Sequence, residues 1–162
     1  MTWRAPLWKA IMDRAKTDTG SGGIFESDGT NLVTGFYNVW LPTDQTFPAV
    51  VYQIASAFDV DAFTAKVIEL DIRMHVFAKM VPVDGDTDGG TLLAAIVDRI
   101  NGDWLLQSNG APTYGFDRWS PTVSGWDTDM MVHSDSNENH ELENGILHQI
   151  ESFDMVLSKQ GA

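Results

Sequence analysis

The stretch KVIELDIRMHVF, residues 66–77, alternates between apolar and polar residues along most of its length. Successive side chains of a strand point to opposite faces of a sheet, so this period of two predicts a strand with one buried face. A helix would scatter the same residues around its circumference. We therefore expect this strand to organise the fold, with these residues on its buried face: Ile68, Leu70, Ile72, Met74 and Val76.

The polar face of the same strand carries Glu69, Asp71, Arg73 and His75, which combine two acids, a base and a titratable imidazole. Two interpretations remain open for this face. It is either a solvated surface, as most polar surfaces are, or a surface covered by a neighbouring subunit that supplies complementary charge. Under the second interpretation, these four side chains are candidate subunit-interface residues.

The composition indicates one ordinary globular domain over residues 1–162. The chain has no cysteine, which excludes disulfide bridges and thiolate metal sites. No apolar run approaches the roughly 18 residues that span a bilayer, and the first fifteen residues lack a continuous apolar segment. We expect a soluble protein without a signal peptide or a membrane partner.

The formal net charge of −13 argues against a protein that grips nucleic acid, because phosphate binding needs clustered Lys and Arg and this chain has ten in all. An acidic surface repels phosphates. Such a surface suits a passage through which DNA slides without sticking.

Periodicity and turn residues predict the remaining elements. Helices are expected over residues 6–17 and 91–105, the second capped by Asp88 or Thr91. Strands are expected over 49–58, 130–133 and 145–157, and residues 32–41 form either a short strand or an irregular apolar segment. The strand at 49–58 is expected to pair with the central strand as a hairpin. The intervening segments read as a long loop (about 20–46), an irregular aromatic segment (110–128) and a polar loop (134–144).

Two acidic regions contain side chains of the types that bind metal ions. Asp84, Asp86, Asp88 and Gly89 have the spacing that opens an EF-hand calcium loop, but Ala95 stands where the bidentate Glu belongs. The second region contains enough nitrogen and oxygen ligands for zinc but lacks the HExxH spacing: His133, Asp135, Glu138, His140, Glu141 and His148. We also find no nucleophile elbow and no phosphate-binding glycine loop. The sequence therefore predicts no catalytic residue, metal or cofactor.

Six tryptophans are a high count for this length and indicate large contact surfaces. Trp104 is expected at the edge of the core. Trp119 and Trp126 fall in the irregular segment, where a large amphipathic ring either packs on the core or binds a partner, so both are further interface candidates.

The order of these patterns resembles the tail-completion, or tail-terminator, family of tailed bacteriophages. A leading helix and a long loop precede TFPAVVYQIAS, then VIELDIRMHVFAK, a short loop and the helix GGTLLAAIVDRINGDW. The acidic DTDMMVHS, a variable loop and the closing strand HQIESFDMVLS resemble the C-terminal half of that family. The likeness extends over about residues 4–158 and rests on soft patterns without a catalytic signature.

The resemblance implies an α+β fold in which a single antiparallel or mixed sheet is flanked by two helices. It also implies a homo-oligomeric ring, commonly hexameric, at the head-proximal end of the tail tube. Such a ring would contact the tube protein and the head-tail connector or stopper, and genomic DNA would pass through it. The protein would be made in the host cytoplasm and reside in the virion. A head-side adaptor or stopper remains an alternative, as does the separate class of a small metal-binding or hydrolytic domain.

Overall fold

A computed structural model describes residues 2–19, 23–24, 32–62, 65–80, 89–102, 114–141 and 145–160, and all structural statements concern these residues. The elements, in chain order, are α1 (Arg4–Lys16), β1 (Gly35–Asn38), β2 (Ala49–Ala62), β3 (Ala65–Lys79), α2 (Gly89–Asn101), β4 (Asp127–Thr128), β5 (Val132–Glu141) and β6 (Ile146–Gln160). The fold is α+β with one mixed sheet and two helices, as expected.

The predicted central strand is confirmed as β3, which pairs antiparallel with β2 on one side and with β6 on the other. Its side chains alternate as the sequence predicted. Ile68, Ile72, Met74 and Val76 are fully buried and Leu70 nearly so, whereas Glu69 and Arg73 are exposed. Because β3 lies between the two other long strands, its apolar face forms the centre of the core.

The sheet runs in the order β1, β2, β3, β6, and its far edge is shared by β4 and β5, both of which pair with β6. The short strand β1 pairs parallel with β2, and every other pairing is antiparallel. The two edges of the sheet are therefore built differently, with β1 at one and the pair β4 and β5 at the other.

Both helices pack on the same face of the sheet. Leu7, Ile11 and Ala15 of α1 are buried as predicted, in one cluster with the apolar face of β3. The hydroxyl of Tyr52 in β2 donates a hydrogen bond of 3.0 Å to the carbonyl oxygen of Trp8. From α2, the cluster receives Leu93, Ile96, Val97 and Ile100. No described helix is long and apolar enough to cross a membrane.

Helix α2 begins and ends at glycines that approach other backbone closely. A Cβ atom at Gly89 would lie 1.6 Å from the carbonyl oxygen of Lys79, so only glycine fits at this start. The helix ends before Gly102, whose φ of +84° is typical of a glycine that terminates a helix. The prediction that Thr91 caps this helix is wrong, because Thr91 lies inside the first turn. The other predicted cap, Asp88, lies outside the described residues.

The prediction of a polar loop over 134–144 is wrong over residues 134–141, because β5 continues from Val132 to Glu141 and pairs with β6 along this length, and residues 142–144 lie outside the described residues. Its polar residues are tolerated because β5 is an edge strand, and a bulge between His133 and Asp135 adjusts its register. Residues 32–41 contain the short strand β1, in agreement with one of the two interpretations of this segment, and the irregular segment at 110–128 ends in the two residues of β4.

Candidate functional site

The sheet face opposite the helices, hereafter the outer face, has no described helix packed on it. All four polar candidates of β3 lie on this face: Glu69 and Arg73 are exposed, and Asp71 and His75 are half-buried. The structure thus brings them together along one strand, as the alternating sequence indicated. Their role in contacting another subunit stays a prediction.

Arg73 is the cation in an otherwise acidic part of the outer face. Its guanidinium lies 2.9 Å from Asp71 Oδ2, and Asp71 pairs directly across the ladder with Asp154 of β6. With the side chains of Arg73 and Asp71 being 44% and 24% exposed, the pair contributes at most about 1 kcal/mol to folding. The ion pair of Arg73 and Asp71 is therefore better suited to matching charges on another subunit than to stabilising the monomer.

A cluster of rings covers the end of the outer face near the start of β2. His75 Nδ1 lies 2.9 Å from His148 Nε2, and the ring of His148 stacks on Phe77 with centroids 4.3 Å apart. Gln53 lies 2.8 Å from the other ring nitrogen of His75. Burial, followed by the nearby His148 and Arg73, lowers the pKa of His75 from 6.5 to about 4. His75 is thus a neutral, packed side chain at pH 7.

A second polar cluster lies on the helix-facing side of the sheet and was not anticipated as a unit. Glu151 is fully buried, and its carboxylate accepts hydrogen bonds from Ser136 Oγ and Gln149 Nε2, each 2.8 Å long. His133 Nε2 lies 2.7 Å from the same carboxylate. Ser136 and His133 both hydrogen-bond to Glu151, so the cluster joins β5 to β6. The imidazole of His133 therefore does not activate the hydroxyl of Ser136 as a nucleophile. The sequence feature that could have revealed this cluster is the two-residue spacing of Glu151 and Phe153, which places both side chains on the same face of a strand.

Two of the three candidate zinc-ligand histidines, His133 and His148, lie on opposite faces of the sheet, and the side chain of His140 lies outside the described part of the structure. His133 contacts Glu151 and Phe153 on the core side, whereas His148 contacts His75 on the outer face. Among the described residues there is no group of three or more metal-ligating side chains. The acidic loop that contains Asp84, Asp86 and Asp88 lies outside the described residues.

Trp119 and Trp126 are half-buried and pack against the core cluster. The ring of Trp119 meets Phe116 edge-on at 5.6 Å, and the guanidinium of Arg14 lies 5.5 Å from its centroid. Lys159 lies 5.9 Å from the ring of Trp126. A partner could cover only part of either indole. Trp104 lies outside the described residues.

Among the residues that the structure describes, the large exposed apolar side chains form three pairs that sequence analysis did not single out. Trp40 is the most exposed of them at 77%, and it follows Val39 at the edge formed by β1. Met130 and Val132, 45% and 44% exposed, lie at the opposite edge, and Phe58 and Val60 lie on the hairpin of β2 and β3. Periodicity could not identify Trp40, because it belongs to a short irregular segment in which burial follows from the tertiary fold.

A groove adjoins the exposed residues at the β4 and β5 edge. It has a volume of about 330 Å³ and is lined by Asp129, Met130, Val132, Asp154, Met155 and Val156. A second groove of about 320 Å³ shares Asp154, Met155 and Val156 and extends across the outer face to Phe58 and Glu69. Together they form a mixed apolar and acidic surface beside the predicted interface strand.

Comparison with known proteins identifies a solved structure with a similar fold. No protein-family model matches the chain, and no curated protein matches it. A chain from the solved structure described as "Virion of native gene transfer agent (GTA) particle" is similar, with a TM-score of 0.64 and 11% sequence identity. The match covers 97% of this chain and 98% of that chain. At this identity the likeness shows a shared fold over nearly the full length of both chains.

Proposed function

We propose that this protein is a structural subunit of a tailed phage or phage-like particle, without catalytic activity. The observation that carries the proposal is the full-length fold likeness to a chain of a gene transfer agent virion. The outer face supports it, because exposed apolar pairs next to charged side chains are typical of surfaces that other subunits cover.

Within such a particle, we assign the chain to the tail-terminator position that its sequence patterns resemble. Copies would form a ring, which the resemblance implies is hexameric, between the tail tube and the head-side connector. Glu69, Asp71, Arg73 and His75 on the outer face would contribute to contacts within the ring, with Trp119 and Trp126 at its margins. The net charge of −13 per copy would let DNA pass through the ring without binding.

The test measures mass in solution and location in particles. We expect the purified protein to have the mass of a closed oligomer, free or after addition to tail tubes, and to show a central hole by electron microscopy. In purified particles, antibody labelling is expected at the head-proximal end of the tail. Label that stays with heads after tails detach would instead favour the adaptor or stopper role.

A protein that is only monomeric and also absent from purified particles would overturn the proposal. Metal analysis of the purified protein addresses the separate hydrolase class, since stoichiometric bound zinc or calcium would favour that class over a structural role.

A further inference from the structure

We propose that copies of this chain associate head to tail, with Val39 and Trp40 of one copy inserted into the groove beside Met130 and Val132 of the next copy. This inference rests on the proposed ring function and adds the pair of surfaces that would form the ring contact. We refer to Val39 and Trp40 as the knob and to the groove at the β4 and β5 edge as the socket.

The knob is held by a strained turn. Val39 has a φ of +77°, which a β-branched residue rarely adopts, and the amide of Trp40 donates to the carbonyl oxygen of Asn38 at 3.0 Å. This is the hydrogen bond of a γ-turn with a positive central φ, a rare and strained form. The amide of Val39 donates to the carbonyl oxygen of Tyr52 at 2.9 Å, which ties the turn to the sheet. Strain of this kind persists where surrounding contacts fix it, and here it directs an indole into solvent.

The socket complements the knob in chemistry. Met130 and Val132 line an apolar recess, and the carboxylates of Asp129 and Asp154 lie at the same groove. An indole is a large apolar ring with a single N–H donor, so it can bury its ring on the apolar side chains while donating to a carboxylate. Buried aromatic side chains of this kind supply much of the energy of protein interfaces.

The knob and the socket lie on opposite edges of the sheet, which decides the symmetry. A surface that meets a different surface on its neighbour forms a heterologous contact, and repetition of that contact produces a ring or a filament. A two-fold dimer could form this contact only if the partner covered the knob and the socket of the same copy at once, and these lie at opposite edges of the sheet.

Strand register shows that the two surfaces also lie at similar heights. Asn38, directly before the knob, pairs with Tyr52, which is level with Met74 and Glu151 across the sheet. Val132 in the socket pairs with Asp154, three residues further along β6, or roughly 10 Å along the strand. A lateral contact with so small an offset adds little translation along the strands per copy, and the rotation between successive copies then decides between a ring and a filament.

The absence of native cysteine makes the contact testable by cross-linking. Val39→Cys and Met130→Cys proteins are prepared separately, since both positions are exposed and Val39→Cys keeps the indole of Trp40 in the knob. We expect a disulfide-linked dimer when the two are mixed and oxidised by dissolved oxygen with a copper catalyst, and none when either is oxidised alone. Ser124→Cys, an exposed position in a different groove beside α1, is the matched control and should not link to Val39→Cys.

A second variant tests the same contact without cysteine. Trp40→Ala should weaken self-association by roughly thirty-fold or more, the effect of removing an interface hot spot, with an unchanged melting temperature. Val60→Ala, which removes exposed apolar surface away from both the knob and the socket, should change association little.

Three results would overturn the proposal: no link in the mixed sample, a link between two Val39→Cys chains, or equal linking to Ser124→Cys. The proposed function is tested separately, by whether the protein is present in purified particles. Rings found in purified particles without the link between positions 39 and 130 would overturn only the contact. The link in a protein that is absent from particles would overturn the virion role and leave the contact standing.

Discussion

At the scale of single residues, Ile72 and Arg73 are neighbours in β3 with opposite environments. Ile72 is fully buried in the core, whereas Arg73 lies exposed on the outer face beside Asp71. Ile72→Asp removes apolar burial worth about 1.5 to 3 kcal/mol and adds a buried carboxylate, which costs several kcal/mol more. Against a typical stability of about 5 to 15 kcal/mol, we expect this variant to be largely unfolded by circular dichroism.

Arg73→Glu should leave the monomer folded, with a loss of about 0 to 1 kcal/mol, because its ion pair is partly exposed to water. It also puts a carboxylate beside Asp71 and Asp154, so we expect weaker self-association by analytical ultracentrifugation. Equal unfolding of the Ile72 and Arg73 variants would contradict the assignment of the two faces. Normal association of Arg73→Glu would remove this part of the outer face from the interface.

His75 predicts a pH dependence of stability. Its folded pKa of about 4 lies below the ordinary 6.5, so as the pH falls from 6.5 the unfolded chain binds a proton that the folded chain does not. Stability is therefore lost from pH 6.5 down to pH 4, by about 1 to 3 kcal/mol from this group. The groups around it are His148 on β6, Gln53 on β2 and Arg73 on its own strand.

Urea unfolding at pH 7 and pH 5 measures the effect, with His75→Gln as the matched variant. Gln does not titrate, so the variant should lose less stability between the two pH values than the original protein does. An identical loss in both proteins would show that other groups carry the acid sensitivity.

At the scale of elements, the start of α2 depends on a glycine. A methyl group at Gly89 would overlap the carbonyl oxygen of Lys79 at the end of β3, and backbone atoms cannot move aside cheaply. We expect Gly89→Ala to lose roughly 2 to 4 kcal/mol in thermal unfolding. Gly90→Ala is the matched control, since Gly90 is exposed in the same turn and alanine there should gain up to about 1 kcal/mol from helix propensity. Similar behaviour of both variants would contradict this tight approach.

The elements also show where sequence patterns suffice. Ile72 and its alternating neighbours specified β3, and Leu7, Ile11 and Ala15 specified the buried stripe of α1, because one buried face imposes a period on the sequence. The polar strand β5 has no such period. In β5, Ser136 bonds to the buried Glu151, and the backbone hydrogen-bonding partners come from β6. The strand conformation of β5 therefore depends on a neighbour that is distant in sequence.

The candidate site divides in the same way. Glu69, Asp71, Arg73 and His75 were placed on one face by alternation alone. Trp40 and the socket were not, since their exposure depends on a strained turn and on which strands form the edges of the sheet. Periodicity records burial within an element, and it carries no information about which elements end at the margin of a fold.

At the scale of the whole molecule, the net charge of −13 acts against association of identical copies. The knob and socket are chiefly apolar, so their contact gains little from opposite charges and is opposed by the repulsion between subunits. The Debye length falls from about 30 Å at 0.01 M salt to about 3 Å at 1 M salt, which screens that repulsion. We therefore expect the protein to associate more tightly as salt is added, measured as mass by light scattering during gel filtration.

Arg73→Glu is an informative comparison for this salt dependence. It changes the formal charge of each copy by two negative units, so its association curve should shift to higher salt and approach that of the original protein when screening is strong. Trp40→Ala should remain weakly associated at every salt concentration, because salt cannot replace lost apolar contact. Dissociation on adding salt would instead show that ion pairs of the outer face, such as those available to Arg73 and Glu69, hold the subunits together and that the knob contributes little.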